Sequence, residues 1–534
     1  MKNFPLIFVI FAFLVSSCRF EPNQEMVDKA IENGKVAREG YQRCLNFVNG
    51  WLAVRDSASG LIPTNLTGGI DQWQVCNSGA DNYPFMVLTC YMLDKKLYEG
   101  VMADMLNAEM LLTSRLGNLS DDYSFSGKGF VKEKPDTNWI IFSNAEYIKD
   151  GLVPLNEYIG KSPWQERMIG IADDLGKYAD VIKNVENLRG YKAPTEEING
   201  DLLQLLCRIF WLTGDPIYLD RAVKIGEYYM SGERDLSKIN YLRIRDHGCE
   251  IIGGLSELYF AVNFKMPEKK EQFREPMHKL LDRVLEVGRN EDGLFYNAVN
   301  MATGEIADKG VADTWGYVLD AFYTVWLIDK TESYREAIYK SYSQLNAKYK
   351  NYAWEGKSHD GYADAIESGI NLLNREEDQG LKDWIDSEMR VMWGMQREDG
   401  IIGGWHGDGN FARTTIMYNL WKTQGTHVYP WRDDLILGAV KSGDGLVLAL
   451  SAEEAWEGKL VFDRERHKDI LHLPVDYTRL NQFPEWFVAI PDRAYRVHSG
   501  TKQFIGEHSG QDLAGGIPVN LKAGQQLVVT VKPL

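Results

Sequence analysis

Between about residues 26 and 425 the chain reads as helix after helix, and the helices alternate in character. One set is amphipathic and charged: Met26 to Val54, Pro163 to Val185, Ile217 to Met230, Lys269 to Val287, Glu332 to Tyr349 and Glu377 to Met395. The other set is apolar and small-residue-rich: Gly248 to Val262, Trp315 to Ile328, Tyr362 to Leu373 and Phe411 to Trp421. A helix polar on one face packs on the outside, and a helix apolar nearly all round is buried. The alternation therefore predicts two helical layers. The junctions repeat as well. Ser59-Gly60-Leu61-Ile62, Asp292-Gly293-Leu294-Phe295 and Asp399-Gly400-Ile401-Ile402 each end a charged helix. Glycine suits the left-handed C-cap there, and the apolar pair after it docks on the core. Buried-helix starts fall near Asp81, Ser143, Glu197, His247, Asp313, His359 and Asn410, spaced 46 to 66 residues apart. Each spacing is about one helical hairpin. Thr213-Gly214-Asp215-Pro216 marks the opposite hand-over, from inner to outer helix, with Pro216 at a first helical position.

Six or seven such hairpins in a row are expected to close into a ring. The pattern resembles the (α/α)6 toroid of the six-hairpin glycosidases, over roughly residues 26 to 425. Seven inner helices can be counted, which leaves one as a candidate adornment. An open α-solenoid is the alternative, and irregular repeats with long aromatic loops argue against it. After Tyr429-Pro430-Trp431 short β-like runs take over: Leu435 to Leu437, Gly445 to Leu450, Lys459 to Phe462 and Gln526 to Val531. These predict a C-terminal β-sandwich. The expected organisation is mainly α: a toroid over residues 18–428 and a sandwich over 429–534.

The N-terminus has Lys2, an apolar run from Phe4 to Val15, and then Ser16-Ser17-Cys18. Charge, apolar core and small residues in that order make a signal peptide. The run is shorter than the ~20 residues of a membrane span. It resembles the lipobox of bacterial lipoproteins, which implies cleavage after residue 17, lipid on Cys18 and attachment to the outer membrane. Arg19-Phe20-Glu21 carries no acidic run, so the periplasmic and surface faces both stay open. With Cys18 lipidated, Cys44, Cys76, Cys90, Cys207 and Cys249 remain, an odd number without a CxxC pair. Neither a disulfide framework nor a zinc site is expected. The net charge of −17 argues against a nucleic-acid partner.

In a ring of parallel inner helices, their N-terminal ends converge on one mouth. Ionisable residues crowd those junctions: Arg245-Asp246-His247-Gly248-Cys249-Glu250, Asp313-Thr314-Trp315, His359-Asp360-Gly361-Tyr362 and Trp405-His406-Gly407-Asp408-Gly409-Asn410, then Arg413. Glycoside hydrolysis needs two carboxyl groups across the sugar. Glu250, Asp313 and Asp360 are the catalytic candidates, and an Asp before a helix can equally be only its N-cap. Arg245, His247, Trp315, His359, His406, Asp408 and Arg413 are the substrate-binding candidates. The two arginines suit a uronate carboxylate, which arginine pairs through two bonds. No cofactor or metal is expected.

Within the toroid family, the closest resemblance is to exported unsaturated glucuronyl hydrolases and exo-acting β-glucuronidases. That implies an exo-acting glycosidase on an acidic oligosaccharide or polysaccharide. A uronate lyase is a second reading, with Tyr317, Tyr362, His247 or His359 as base. A sugar 2-epimerase and a non-catalytic glycan-binding lipoprotein are the others.

Overall fold

A computed structural model describes residues 22–192, 194–499 and 506–534, so Cys18 and its leader lie outside the described residues. The outer–inner helix pairs follow in chain order. They are α1 (Gln24–Ala53) with α2 (Tyr83–Leu93), and α3 (Ala103–Thr113) with α4 (Thr137–Glu146) and its continuation α5 (Val153–Ile159). Next come α6 (Pro163–Tyr178) with α7 (Pro194–Thr213), α8 (Pro216–Met230) with α9 (Glu250–Lys265), and α10 (Pro267–Val287) with α11 (Trp315–Asp329). The last are α12 (Glu332–Lys348) with α13 (His359–Arg375), and α14 (Gln379–Trp393) with α15 (Gly407–Lys422).

The expected mainly helical toroid is present, and all seven inner helices counted in the sequence stand in its ring. The seventh hairpin is a stave rather than an adornment. Missing side chains let the staves touch. A Cβ on Gly200 of α7 would lie 2.4 Å from the Glu250 carbonyl carbon of α9. One on Gly409 of α15 would lie 2.0 Å from the carbonyl oxygen of Asp81, just before α2, so the last stave closes on the first. That closure excludes the open solenoid.

Two inner staves depart from α geometry. Val75–Asn82, ahead of α2, and Tyr147–Leu152, between α4 and α5, are π-helical. The wider turn swings residues off the 3.6 period, and such stretches are frequent at functional sites. Cys44, Cys76, Cys90, Cys207 and Cys249 are all free and buried. Among the described residues no helix is long and apolar enough to cross a membrane.

The C-terminal strands are β1 (His427–Tyr429), β2 (Ile436–Ser442), β3 (Gly445–Ser451), β4 (Trp456–Val461), β5 (Ala494–Ser499), β6 (Gly506–Ser509), β7 (Ile517–Leu521) and β8 (Gln526–Pro533). They form two antiparallel sheets, ordered β2-β3-β8-β5-β6 and β1-β4-β7. Leu448 pairs with Val529 in one sheet and Leu460 with Ile517 in the other. These inward residues share one core, as a sandwich requires.

Between β4 and β5 the chain leaves the sandwich and enters the toroid. Leu471, Leu473, Tyr477, Leu480 and Phe483 belong to the helical core. Tyr477 Oη donates to Glu257 of α9 (2.9 Å), and Thr478 Oγ1 donates to the Asp320 carbonyl of α11 (3.1 Å). Arg208 of α7 donates to the Leu480 carbonyl (2.9 Å), and the Asn481 N–H donates to Glu367 of α13 (2.7 Å). Residues 476–483 thus plug the bore of the ring.

Candidate active site

The N-terminal ends of the inner helices and the plug line one pocket. Its walls include Asp81, Asp246, His247, Glu250, Asp360, His406 and Arg413, and Leu480 and Asn481 of the plug also line it. Aligned inner-helix starts explain why acids separated by hundreds of residues meet here.

The floor is organised around Lys149, whose side chain is fully buried. Its Nζ lies 2.9 Å from Glu250, 3.0 Å from Asp150, 3.3 Å from Asp201 and 3.6 Å from Glu146. One ammonium facing four carboxyls cannot neutralise them all, so burial must hold some of them protonated. Burial, then Asp201, lifts Glu146 well above the carboxylate range. Burial lifts Glu250 to about 7 against the pull of Lys149, and Gln204 donates to its second oxygen. Asp150 goes the other way. Burial alone would raise it, but Lys149 brings it to about 2.

The mouth is organised around Arg245. A three-stranded sheet of Leu242–Arg243, Tyr296–Val299 and Ile306–Val311 buttresses this loop, with Ile244 N–H donating to the Asn297 carbonyl (2.8 Å). Asp246 and Glu355 both have left-handed backbones, φ 51° and 42°, which non-glycine residues rarely adopt. Strain of this kind clusters at functional sites. Burial would raise Asp246, but His247 and Arg243 hold it to about 2. Asp313 is pushed up to about 7 by burial, then by Glu355 and Asp246. His247 would be lowered by burial, yet Asp246 and Glu197 push it up to about 9.

Asp313 and Asp360 are not helix caps. Thr314 and Ser358 hold the cap positions, and Asp360 instead accepts from Asn410 (2.7 Å). Glu250, His247, His406 and Arg413 line the pocket as expected, and Arg245, next to pocket-lining Asp246, lies 3.8 Å from Glu355.

Four expectations need correction. Trp315 is fully buried, edge-on to Trp384, and is a core residue. Asp408 is buried and accepts from Trp51 (3.1 Å), Ile402 N–H (3.0 Å) and Gly403 N–H (2.7 Å), so it ties its loop down instead of binding substrate. His359 lies 3.1 Å from Asp408, its ring against Trp405, behind the pocket wall. Arg413 reaches the pocket but is held by Asp364 (2.7 Å) and Glu367 (2.6 Å), so its guanidinium is already engaged from the bore side.

Sequence reading missed Lys149, Glu146, Asp150, Glu355 and Asn481, and it met Asp201 and Asp246 at helix starts without giving either a role. Lys149 and Asp150 lie on a π turn, and Asn481 lies in the plug. Asp246 and Glu146 adjoin positions already singled out. Glu146, Glu197 and His247 bring ligand-type atoms within 4.8 Å of one another. Lys149 already shares the Glu146 carboxyl, so a cation occupies part of that cluster.

No family model and no curated protein matches the chain. Among solved structures, it is similar to the unsaturated glucuronyl hydrolase of Bacillus sp. GL1, at 12% identity over 53% of this chain and 86% of that one (TM-score 0.38). It is similar to an α-1,6-mannanase of Salegentibacter sp. HEL1_6, at 13% identity over 72% and 98% (TM-score 0.39). A sugar epimerase from a ruminal bacterium matches at 14% identity over 58% and 86% (TM-score 0.40). Likenesses of this size say nothing about chemistry, which has to come from the site itself.

Proposed function

We propose that this chain is an exo-acting glycoside hydrolase that removes a terminal sugar from a glycan. One observation carries the reading: a carboxyl-rich pocket stopped by a plug, with Asp246 on its wall and Asp313, of opposed proton affinity, within electrostatic reach of Asp246. A bore closed at one end admits a chain end and not a chain interior. Environments that push two carboxyls apart assign the acid and its ionised partner. Asp313, lifted to about 7, donates the proton to the leaving oxygen. Asp246, held near 2, is the ionised carboxylate facing the developing positive charge on the sugar. Asp360 is a third carboxyl on the same wall.

Hydrolysis is favoured over elimination because none of the four bases the lyase reading named stands free in the pocket. Tyr317 donates to Asp364 (3.0 Å) and Tyr362 to the Tyr352 carbonyl (2.7 Å). His247 is pushed up to about 9 by Asp246 and Glu197, and His359 lies 3.1 Å from Asp408 behind the pocket wall. The narrower reading, a β-glucuronidase or related uronidase, rests on Arg245, the one arginine of the expected pair left without a tight partner. Lipid attachment through Cys18 and outer-membrane placement complete the proposal.

The test is turnover of a panel of aryl glycosides, aryl β-glucuronide and β-glucoside among them, and of acidic glycans. Release of free sugar without new ultraviolet absorbance supports hydrolysis. Asp313→Asn should lose about 10²–10⁴-fold on poor leaving groups and much less on activated aryl ones, because only the former need the proton. Arg245→Met should erase any preference for glucuronide over glucoside. An unsaturated product would replace this reading with a lyase. For the tether, Cys18→Ser should move the protein from the membrane to the soluble fraction.

A further inference from the structure

We propose that Asn481, delivered by the plug, is a specificity residue whose side-chain oxygen accepts a hydroxyl of the terminal sugar at the pocket floor. The inference rests on the glycosidase reading and deepens it.

The amide orientation is fixed by its neighbours. Asn481 Nδ2 donates to the Asp150 carbonyl (3.0 Å) and to Asp150 Oδ1 (3.1 Å). Both partners are acceptors, so the flipped amide would set oxygen against oxygen. Oδ1 must therefore face away from Asp150, and there it is buried with no partner. The residue is 1% exposed and lines the pocket. A buried acceptor without a donor is costly, and native structures rarely leave one unexplained. A ligand hydroxyl would satisfy it.

The backbone beneath is held rigidly. Its N–H donates to Glu367 (2.7 Å), the preceding carbonyl accepts from Arg208 (2.9 Å), and the one before that accepts from Asn371 (3.4 Å). Two staves, α7 and α13, thus set the height of this atom in the bore, the condition for a group that discriminates by hydrogen bonding. The chemistry of the ligand follows. An amide oxygen beside ionised Asp150 accepts a neutral hydroxyl and repels a carboxylate. The floor therefore takes a hydroxyl edge of the sugar, and any uronate carboxylate must lie toward Arg245 at the mouth.

The experiment compares wild type, Asn481→Ala, Asn481→Asp and the plug control Thr478→Val. Substrates are the aryl glycoside turned over best and its monodeoxy analogues. Wild type should lose about tenfold or more in kcat/KM on one analogue. Asn481→Ala should lose a similar factor on the parent and nothing further on that analogue. Asn481→Asp, acceptor-only in its ionised form, loses the Asp150 bond and should fall further. Thr478→Val should discriminate like wild type. If Asn481→Ala still discriminates the analogue as wild type does, the proposal is overturned. If wild type turns over no glycoside, the hydrolase reading fails by itself. Binding of glucose, mannose, glucuronic acid and their deoxy forms, followed by thermal shift, then decides. A sugar that stabilises wild type but not Asn481→Ala, with the deoxy form inert on both, supports the assignment; no such sugar overturns it.

Discussion

At the residue scale the site works by withholding water from carboxyls. Asp313 is nearly fully buried, and its carboxyl titrates near 7 in place of the usual ~4. An acid with a raised folded pKa favours the folded state fully below its unfolded pKa, and that contribution is lost as pH rises through the folded value. Two outcomes follow. The kcat/KM for an unactivated substrate should fall above about pH 7, as the proton donor is lost. Asn cannot ionise, so at pH 8 Asp313→Asn should be more stable than wild type, by about 1–3 kcal/mol in urea titration, while nearly inactive. A variant equally or less stable at pH 8 would mean that Asp313 is not held protonated by its surroundings. The pocket-lining Glu250, Asp360, His247 and His406 were legible in the sequence because they stand at the starts of apolar helices, and parallel helices bring their starts together. Asp408, Trp315 and His359 stand at the same starts yet face away from the bore. Position along the chain gives the layer of the ring but not the side of the helix that faces the bore.

At the scale of elements, two devices set the ring. The first is the close approach of staves at glycine. Gly409→Ala should cost about 1–3 kcal/mol or more, because the added carbon meets backbone that cannot rotate away. The urea midpoint should fall with an unchanged slope; a fall in slope would point to a loosened ring instead. The second device is the π turn of Tyr147–Leu152, which places Lys149 and Asp150 in the bore. Lys149→Met should destabilise by about 3–5 kcal/mol, since removing the ammonium strands Asp150 and its neighbours. It should also shift Asp150 protonation upward, visible as a loss of stability that is smaller at low pH. Neither device could be read from the chain alone. A π turn has the same composition as an α turn, and a helical glycine does not announce its neighbour.

At the scale of the whole molecule, the plug makes two domains into one. A sandwich packed only beside a toroid would melt separately, as weakly joined domains do. Here the sandwich sends Tyr477, Leu480 and Phe483 into the helical core, and Arg208, Glu257, Asp320 and Glu367 bond to the segment from four different staves. The sequence shows the sandwich through its alternating strands, but the plug has neither helical nor strand period and reads as a loop. The hydrogen bonds that anchor it to the staves come from partners more than a hundred residues away. The expected consequence is a single calorimetric transition for the full chain. Tyr477→Phe removes the hydroxyl that donates to buried Glu257, and should lower stability by about 1–3 kcal/mol while the two sets of elements still unfold together. Tyr477→Ala also opens a cavity and should cost about 3–5 kcal/mol, lowering the one transition further. If it instead split the melt into two transitions, with the sandwich unmoved, the plug would be a passive insert and the bore would owe its closed end to the helices alone.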